Sequence, residues 1–252
     1  MEQAVSHAVE TVRASREGEP GVILLAIGGL TAAGKSLLAR TFQKEIQALG
    51  QKAWVLEGDR FILPKARRPA GERYPEDVYE LDRLNRALVA LKAGDRFLSP
   101  FYHKMERTTD RLQAPERGEG DPAPRGEYRV REASALAEQH RQRAAHPASR
   151  LWIDAEAGDL LEEVPPNGDV WIFDSEIALA YPGFRSCYDA SYAVWASRAR
   201  RRRNFLEAVR KGERYPVLSE REALEKVEGF FLEDDRFNQS FLHHAQVWVD
   251  NT

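Results

Sequence analysis

One short segment constrains the fold of this chain more than any other. Residues 29–36, Gly-Leu-Thr-Ala-Ala-Gly-Lys-Ser, fit the pattern G-x-x-x-x-G-K-[ST] without a mismatch. An apolar run at 21–28 precedes the segment and predicts a buried strand, and apolar residues at helical spacing follow it as far as Gly50. A strand, a glycine-rich loop and a helix in this order form a cradle for phosphate groups, because loop amides and the helix N-terminus point at phosphate oxygens.

The residues of this loop have separate predicted roles. The ammonium group of Lys35 would neutralise the terminal phosphates of a nucleoside triphosphate, and the hydroxyl of Ser36 would coordinate Mg2+. A chance glycine-rich turn is the alternative, and the flanking strand and helix count against it. The predicted nucleotide contacts are Gly29, Leu30, Thr31, Ala32, Ala33, Gly34, Lys35, Ser36 and Leu37.

Carboxylates follow two other predicted strands. Asp59 comes after the strand predicted at 52–57, and Asp174 ends a later one. Ligands bind at the carboxyl edge of open α/β sheets, so both side chains are expected beside the phosphate loop. Asp59 would accept the proton of an attacking hydroxyl, and Asp174 would hold Mg2+, with Glu176 as its local competitor. A turn or helix-capping role is the alternative, since a helix could begin just after Ser175.

Arginine is concentrated in one later segment of this slightly acidic chain. Arg203 and Arg210 are seven residues apart and hence on one face of a helix, from which they could close over the triphosphate and stabilise the transferred charge. The alternatives are a solvated basic helix and a nucleic-acid patch. The basic residues of the segment are Arg198, Arg200, Arg201, Arg202, Arg203, Arg210, Lys211 and Arg214.

Composition excludes several classes of protein. The 37 basic and 40 acidic residues give a net charge of -3, so the chain has no general attraction to nucleic acid or anionic membranes. The longest apolar run, at 22–30, is far shorter than the roughly 20 residues that span a bilayer. The single Cys187 cannot form an intrachain disulfide, and we expect a buried, inert thiol. A cytoplasmic protein that binds neither nucleic acid nor membrane is therefore expected.

Periodicity along the rest of the chain predicts an α/β fold in a single domain over residues 1–252. Helices are predicted at 2–15, 76–91, 132–145, 196–210 and 219–231, and strands or extended pieces at 96–102, 151–154, 160–164, 169–174, 192–195 and 247–249. The first helix, within residues 1–20, is predicted to cover the core. Residues 112–150 form a variable insertion that begins with a mobile loop as far as residue 125.

In their order along the chain these features resemble the uridine kinase and phosphoribulokinase family of P-loop kinases. The resemblance includes the loop at 27–36, the segment 56–61 with Asp59, the stretch 75–102 and the strand at 169–175. It implies the P-loop NTPase fold, with a mainly parallel central sheet flanked by helices on both faces, a lid formed by the arginine helix and an irregular insertion. It also implies transfer of the terminal phosphate of ATP, with Mg2+, to a hydroxyl of a small molecule.

The resemblance also implies which residues contact the acceptor. These are Asp59, Phe61, Tyr102 and His103. The sequence departs from the family nearby: uridine kinases have tyrosine and phosphoribulokinases histidine where this chain has Ile62, and uridine kinases have aspartate in place of His103. The acceptor is therefore left as a nucleoside, a sugar or a related metabolite.

Two other functions are compatible with the sequence. One is an ATPase or GTPase that drives or switches a partner, although the Asn-Lys-x-Asp motif that recognises guanine is not present. The other is a nucleotide-binding regulatory or RNA-associated protein that uses the arginine run. A homo-oligomer is compatible with each of these functions.

Overall fold

The secondary structure follows the predicted alternation of strands and helices. The computed structural model describes residues 1–17, 21–63, 67–71, 73–100, 102–103, 108–109, 130–132, 145–146, 148–154, 160–165, 169–211 and 219–252. The strands are β1 (Ile23–Gly29), β2 (Ala53–Glu57), β3 (Phe97–Pro100), β4 (Tyr102–His103), β5 (Thr108–Thr109), β6 (Val130–Glu132), β7 (Arg150–Asp154), β8 (Leu160–Val164), β9 (Val170–Asp174), β10 (Ala190–Trp195) and β11 (Val247–Asp250). The helices are α1 (Glu2–Arg16), α2 (Lys35–Ala48), α3 (Leu81–Ala93), α4 (Pro182–Arg185), α5 (Arg198–Arg210) and α6 (Glu220–Asn238), with 3₁₀ turns at Gly58–Phe61 and Gln239–His244.

Five strands form a parallel central sheet in the order β11-β10-β1-β9-β2. The middle strand, β1, is buried along its whole length, which explains its uninterrupted apolar sequence. In the register of the sheet, Ile27 of β1 lies beside Asp174 of β9, and Asp174 lies beside Glu57 of β2. The predicted α/β fold with a mainly parallel sheet is therefore confirmed.

Helices cover both faces of this sheet. Ile23, Leu25 and Ile27 of β1 face α1 and α2, in one apolar cluster. Leu24 and Ala26 belong to a second cluster, which includes the apolar stripe of α3. Successive side chains of a strand point to opposite faces, so the alternation along β1 supplies both clusters. The strand that leads into the phosphate loop thus lies between two apolar layers.

A second sheet of four strands, in the order β3-β8-β7-β6, is antiparallel. The sequence predicts the extended segments of β3, β7 and β8 but not their pairing in this sheet. A buried ion pair connects it to the turn after β2: Arg60 Nη1 donates to Glu162 Oε2 of β8 at 2.5 Å, and the Glu162 side chain is fully buried. The other carboxylate oxygen of Glu162 accepts from the backbone N–H of His146 at 3.2 Å. The turn at Gly58–Phe61 is therefore fixed relative to the second sheet.

The helix predicted at 76–91 begins only at Leu81. Tertiary pairing accounts for the difference, because the N–H of Glu80 donates to the carbonyl of Phe61 at 2.8 Å. The residues just before Leu81 are thereby held against the chain that follows β2. For these residues, the tertiary hydrogen bond outweighs the local preference for a helix.

Three further expectations differ from the structure. Glu132, expected to begin a helix, is the last residue of β6, and residues 133–144 lie outside the described residues, as does the mobile loop predicted at 112–125. The helix predicted at 219–231 continues to Asn238. No helix begins directly after Ser175, where turns precede α4. Within the described residues, the other predicted helices and strands are confirmed, with small shifts of their ends.

Cys187 is buried, and burial raises the pKa of its thiol. Among the described residues, no helix combines the length and the apolar character that crossing a membrane requires.

We predict that Arg60→Gln destabilises the protein far more than Arg96→Gln. Both arginines pair with glutamates of β8, but Glu162 is fully buried, whereas the Arg96 side chain is 57% exposed and pairs with Glu163. Loss of Arg60 leaves a buried carboxylate without its cation, which costs about 3–5 kcal/mol, while an exposed pair contributes at most about 1 kcal/mol. Urea denaturation followed by tryptophan fluorescence measures both, and equal losses would contradict the prediction.

Candidate active site

The phosphate-binding loop joins β1 to α2 through unusual backbone conformations. Gly29 has a φ of +142°, and a Cβ atom there would lie 2.2 Å from the carbonyl oxygen of Val194 on β10, so only glycine fits. Ala32 has a φ of 60°, in the left-handed region that a side chain disfavours. Residues in such conformations turn neighbouring amides towards one concave side, which is how these loops bind anions.

Side chains donate hydrogen bonds to the carbonyl groups of the loop. Four consecutive carbonyls each accept a hydrogen bond from a side chain: Leu30 from Lys35 Nζ at 3.1 Å, Thr31 from Arg201 Nε at 2.8 Å, Ala32 from Asn204 Nδ2 at 2.9 Å and Ala33 from Asn251 Nδ2 at 2.7 Å. In a trans peptide unit the N–H points opposite to the carbonyl. The amides that follow these carbonyls therefore point away from the four side chains.

Arg201 connects the loop to both helices α5 and α6. Its side chain is buried, with the residue 1% exposed, and Nη1 donates to the carboxylate of Asp235 on α6. The guanidinium carbon lies 4.3 Å from the centre of the Phe231 ring, within the range of a cation–π contact. These contacts fix the guanidinium group, and hence the carbonyl of Thr31 that accepts from it.

The arginines predicted to close over the triphosphate face a different direction. Arg203 and Arg210 are roughly half a turn around α5 from Arg201, since each residue advances a helix by about 100°. Both side chains are exposed. Ion pairs that join α5 to α6 include Arg198–Glu228, Arg201–Asp235, Arg202–Glu228 and Arg210–Glu220. A role for Arg203 and Arg210 at the triphosphate stays a prediction.

Both predicted carboxylates lie at the edge of the sheet where the loop begins. Asp174, the last residue of β9, is buried and lies level with Ile27 of β1 and Glu57 of β2. Neighbouring strands are about 5 Å apart. Asp174 therefore lies between the loop, which starts just beyond Ile27, and Asp59, which lies just beyond Glu57.

The turn that carries Asp59 packs directly against the end of β9. A Cβ atom on Gly58 would lie 2.3 Å from Oγ of Ser175, so this contact also requires glycine. Ser175 in turn donates its N–H to the carbonyl of Ile27 at 3.1 Å. The ends of β2, β9 and β1 are thus in contact, and the backbone of Asp59 has a fixed place beside them.

Ser36 and Asp174 are the predicted ligands of Mg2+. Ser36 lies in the first turn of α2 and is partly buried. Both side chains offer hard oxygen donors, and Mg2+ commonly binds one or two carboxylates while keeping water and phosphate oxygens as its other ligands. The donor chemistry therefore fits Mg2+. Within the described ranges, no group of three or more His, Cys, Asp or Glu side chains could hold a metal ion by itself.

Glu176 accepts hydrogen bonds from several hydroxyl groups. Its Oε1 accepts from Tyr74 Oη at 2.7 Å and from Tyr79 Oη at 3.0 Å, and its Oε2 accepts from Thr31 Oγ1 at 3.0 Å. Burial, and then the charges of Glu176 and Asp59 among its neighbours, raise the pKa of the Tyr79 hydroxyl well above its usual value, so this hydroxyl stays a donor. These bonds favour Asp174 over Glu176 as the metal ligand.

The other predicted ligand contacts lie in different surroundings. Phe61 is fully buried in the core with Tyr79, so its ring anchors the turn of Asp59 and offers no surface to an acceptor. Strand β4, formed by Tyr102 and His103, lies beside this turn and pairs with β5. The side chains of β4 are outside the described part of the chain, and their contact with an acceptor stays a prediction. Leu37 lies on the exposed side of α2.

Comparisons with known proteins identify the fold. No protein-family model matches the sequence, and no curated protein matches it. A candidate fructose transport system kinase from Silicibacter sp. TM1040 is similar in structure, with 18% identity, a TM-score of 0.61 and coverage of 97% of this chain and 98% of that one. D-glycerate 3-kinase from Cryptococcus neoformans has 11% identity, a TM-score of 0.55 and coverage of 96% and 89%.

A candidate uridine kinase from Bacillus stearothermophilus has 15% identity, a TM-score of 0.50 and coverage of 99% of this chain and 100% of that one. Identities this low show the fold alone. The predicted resemblance to the uridine kinase group is confirmed at that level: the chain has the fold of the P-loop kinases.

We expect Arg201→Met to weaken binding of ATP about tenfold and Arg202→Met to leave it unchanged. Methionine keeps the apolar contact of Arg201 with Phe231 but removes the donors to Thr31 and Asp235. Arg202 is the matched control, since it also pairs with α6, but on the surface, with its side chain 51% exposed. Titration with a fluorescent ATP analogue and Mg2+ measures the affinities. Equal affinities in the two variants would argue against the role of Arg201.

Proposed function

We propose that the protein is an ATP-dependent kinase that transfers the terminal phosphate of ATP to a hydroxyl group of a small molecule. The observation that carries this proposal is the order of groups across adjacent strand ends: the phosphate loop after β1, Asp174 at the end of β9 and Asp59 after β2. Phosphoryl transfer requires a held triphosphate, a metal site and a carboxylate near the attacking hydroxyl. These three requirements correspond to the three groups.

The phosphates of ATP are bound by the loop amides, the N-terminus of α2 and Lys35. Lys35 Nζ already donates to the carbonyl of Leu30, and an ammonium group has three donors, so the bond to the loop leaves donors for phosphate. Ser36 and Asp174 would hold Mg2+, and the ion would supply positive charge that offsets the negative charge of the phosphates during transfer.

Asp59 acts on the acceptor. Its carboxylate accepts the proton of the acceptor hydroxyl as that oxygen forms a bond to the γ-phosphorus, and the bond from phosphorus to the β,γ-bridging oxygen breaks to release ADP. The contact of Gly58 with Ser175 and the ion pair of Arg60 with Glu162 hold the turn of Asp59 on both sides. A fixed base supports this mechanism, because positioning supplies most of the catalysis in phosphoryl transfer.

The acceptor is proposed to be a nucleoside, a sugar or a related hydroxylated metabolite. The similar structures include a candidate uridine kinase and a D-glycerate 3-kinase, and uridine and D-glycerate are both hydroxylated small molecules. The direct test incubates the protein with ATP, Mg2+ and a panel of nucleosides, sugars and vitamins, and detects an acceptor that gains the mass of one phosphoryl group. Rapid hydrolysis of ATP without any acceptor, with no product from the panel, would support an ATPase instead.

Lys35→Ala is expected to impair the binding of ATP, and Asp59→Asn is expected to impair the transfer of its phosphoryl group. Without Lys35, binding of ATP is lost because its phosphates lose their cation. Asp59→Asn keeps the shape of the side chain and the affinity for ATP but removes the base, so transfer to the acceptor found in the panel falls by about 10²–10⁴-fold.

The matched control for Asp59→Asn is Asp95→Asn, the same change at an exposed residue after α3. Calorimetric titration with ATP and an assay of transfer separate the two steps. Full transfer by the Asp59→Asn protein would refute its assignment as the base.

A further inference from the structure

Glu176 lies where three parts of the site meet. It follows β9 by two residues, next to the sheet edge that carries Asp174. The phosphate loop reaches it through Thr31, and the segment before α3 reaches it through Tyr74 and Tyr79. Its carboxylate therefore joins the nucleotide side of the site to the segment that packs beside Asp59.

Thr31 is held at both its side chain and its carbonyl. Oγ1 donates to Glu176 Oε2 at 3.0 Å, and the carbonyl accepts from Arg201 Nε at 2.8 Å. The carbonyl of Thr31 and the N–H of Ala32 belong to one planar peptide unit. The two bonds therefore set the direction of an amide in the phosphate cradle.

The tyrosines lead from Glu176 to the rest of the site. Tyr79 forms a β-bridge with Ile62, in the chain that leaves the turn of Asp59. Tyr74 accepts at Oη from Asn238 Nδ2 at 3.1 Å, and Asn238 is the buried last residue of α6. A shift of Glu176 would move hydroxyls on the acceptor side as well as the loop.

The arrangement depends on a carboxylate at position 176. A carboxylate next to a triphosphate would repel it, and hydrogen bonds from three hydroxyls offset part of that repulsion. An ionised carboxylate only accepts hydrogen bonds and can serve all three donors, whereas an amide has one acceptor oxygen. Glu176→Gln therefore leaves at least one of the hydroxyls without its acceptor.

We propose that Glu176 is a positioning residue, which acts through Thr31 to hold the phosphate loop in its nucleotide-binding conformation and links that loop to the tyrosines beside Asp59. This inference rests on the proposed function, because it assumes that the loop binds ATP. A purely structural role would make Glu176 important for folding and leave the identity of the side chain at position 31 irrelevant to nucleotide affinity.

The test is a double-mutant cycle that measures the Kd of ATP with Mg2+ by calorimetry. Thr31→Val keeps the shape of the side chain and removes the donor. In Glu176→Gln the single amide oxygen keeps the most bonds by facing the two tyrosines that share Oε1, so the NH2 group faces Thr31 and its acceptor is lost. Each is expected to raise the Kd about tenfold. Because both changes break the same bond, the Kd of the double variant is expected to equal that of Glu176→Gln alone. Independent effects would instead raise the Kd about a hundredfold. Thr31→Ser, which keeps the hydroxyl, is expected to raise the Kd much less than Thr31→Val.

Several outcomes would overturn the inference: additive losses in the double variant, equal affinities for the Thr31→Val and Thr31→Ser proteins, or an unaltered Kd in Glu176→Gln. If Glu176→Gln unfolds, as its melting temperature would reveal, the comparison of valine with serine at position 31 decides alone. Failure of the unaltered protein to bind ATP would instead contradict the proposed function, so the two failures are distinguishable.

Discussion

The conformation of the phosphate loop depends on the hydrogen bonds that its carbonyl groups accept. A backbone amide can point at a phosphate only if the carbonyl of the same peptide unit points the other way, where it needs a donor of its own. Here the donors are the side chains of Lys35, Arg201, Asn204 and Asn251. They come from the helix after the loop, from the arginine helix and from the end of the chain. The loop is therefore held by its own lysine and by side chains from two distant parts of the chain.

The strand order explains how these parts reach one loop. β10 lies directly beside β1 and leads into α5, so Arg201 and Asn204 approach the loop from that side. β11 lies beside β10 and delivers Asn251. On the opposite side, β9 delivers Glu176 to the hydroxyl of Thr31. Because all five strands are parallel, their connections meet at one edge and the site is assembled there.

Sequence patterns locate the parts of this site that are contiguous in the chain. The loop, the strand that ends in Asp174 and the strand before Asp59 all have local signals: apolar runs, glycines and a motif. Contacts between distant residues leave no such signal, and Asn251 is 218 residues from Ala33. Arg201 cannot be distinguished from Arg202 by composition, because only the direction of α5 relative to the loop separates a buried arginine from an exposed one.

The arginines of α5 differ in burial and in the contacts that their guanidinium groups make. The exposed ion pairs with α6 contribute little to stability. Burying the guanidinium of Arg201 is unfavourable unless it is fully paired, which Asp235, the Thr31 carbonyl and the Phe231 ring achieve together. A leucine would pack there at lower cost but would not join the loop to α6. One helical turn beyond Asp235, Asn238 reaches the Thr31 side chain through Tyr74 and Glu176. Two separate sets of polar contacts therefore connect α6 to one residue of the loop.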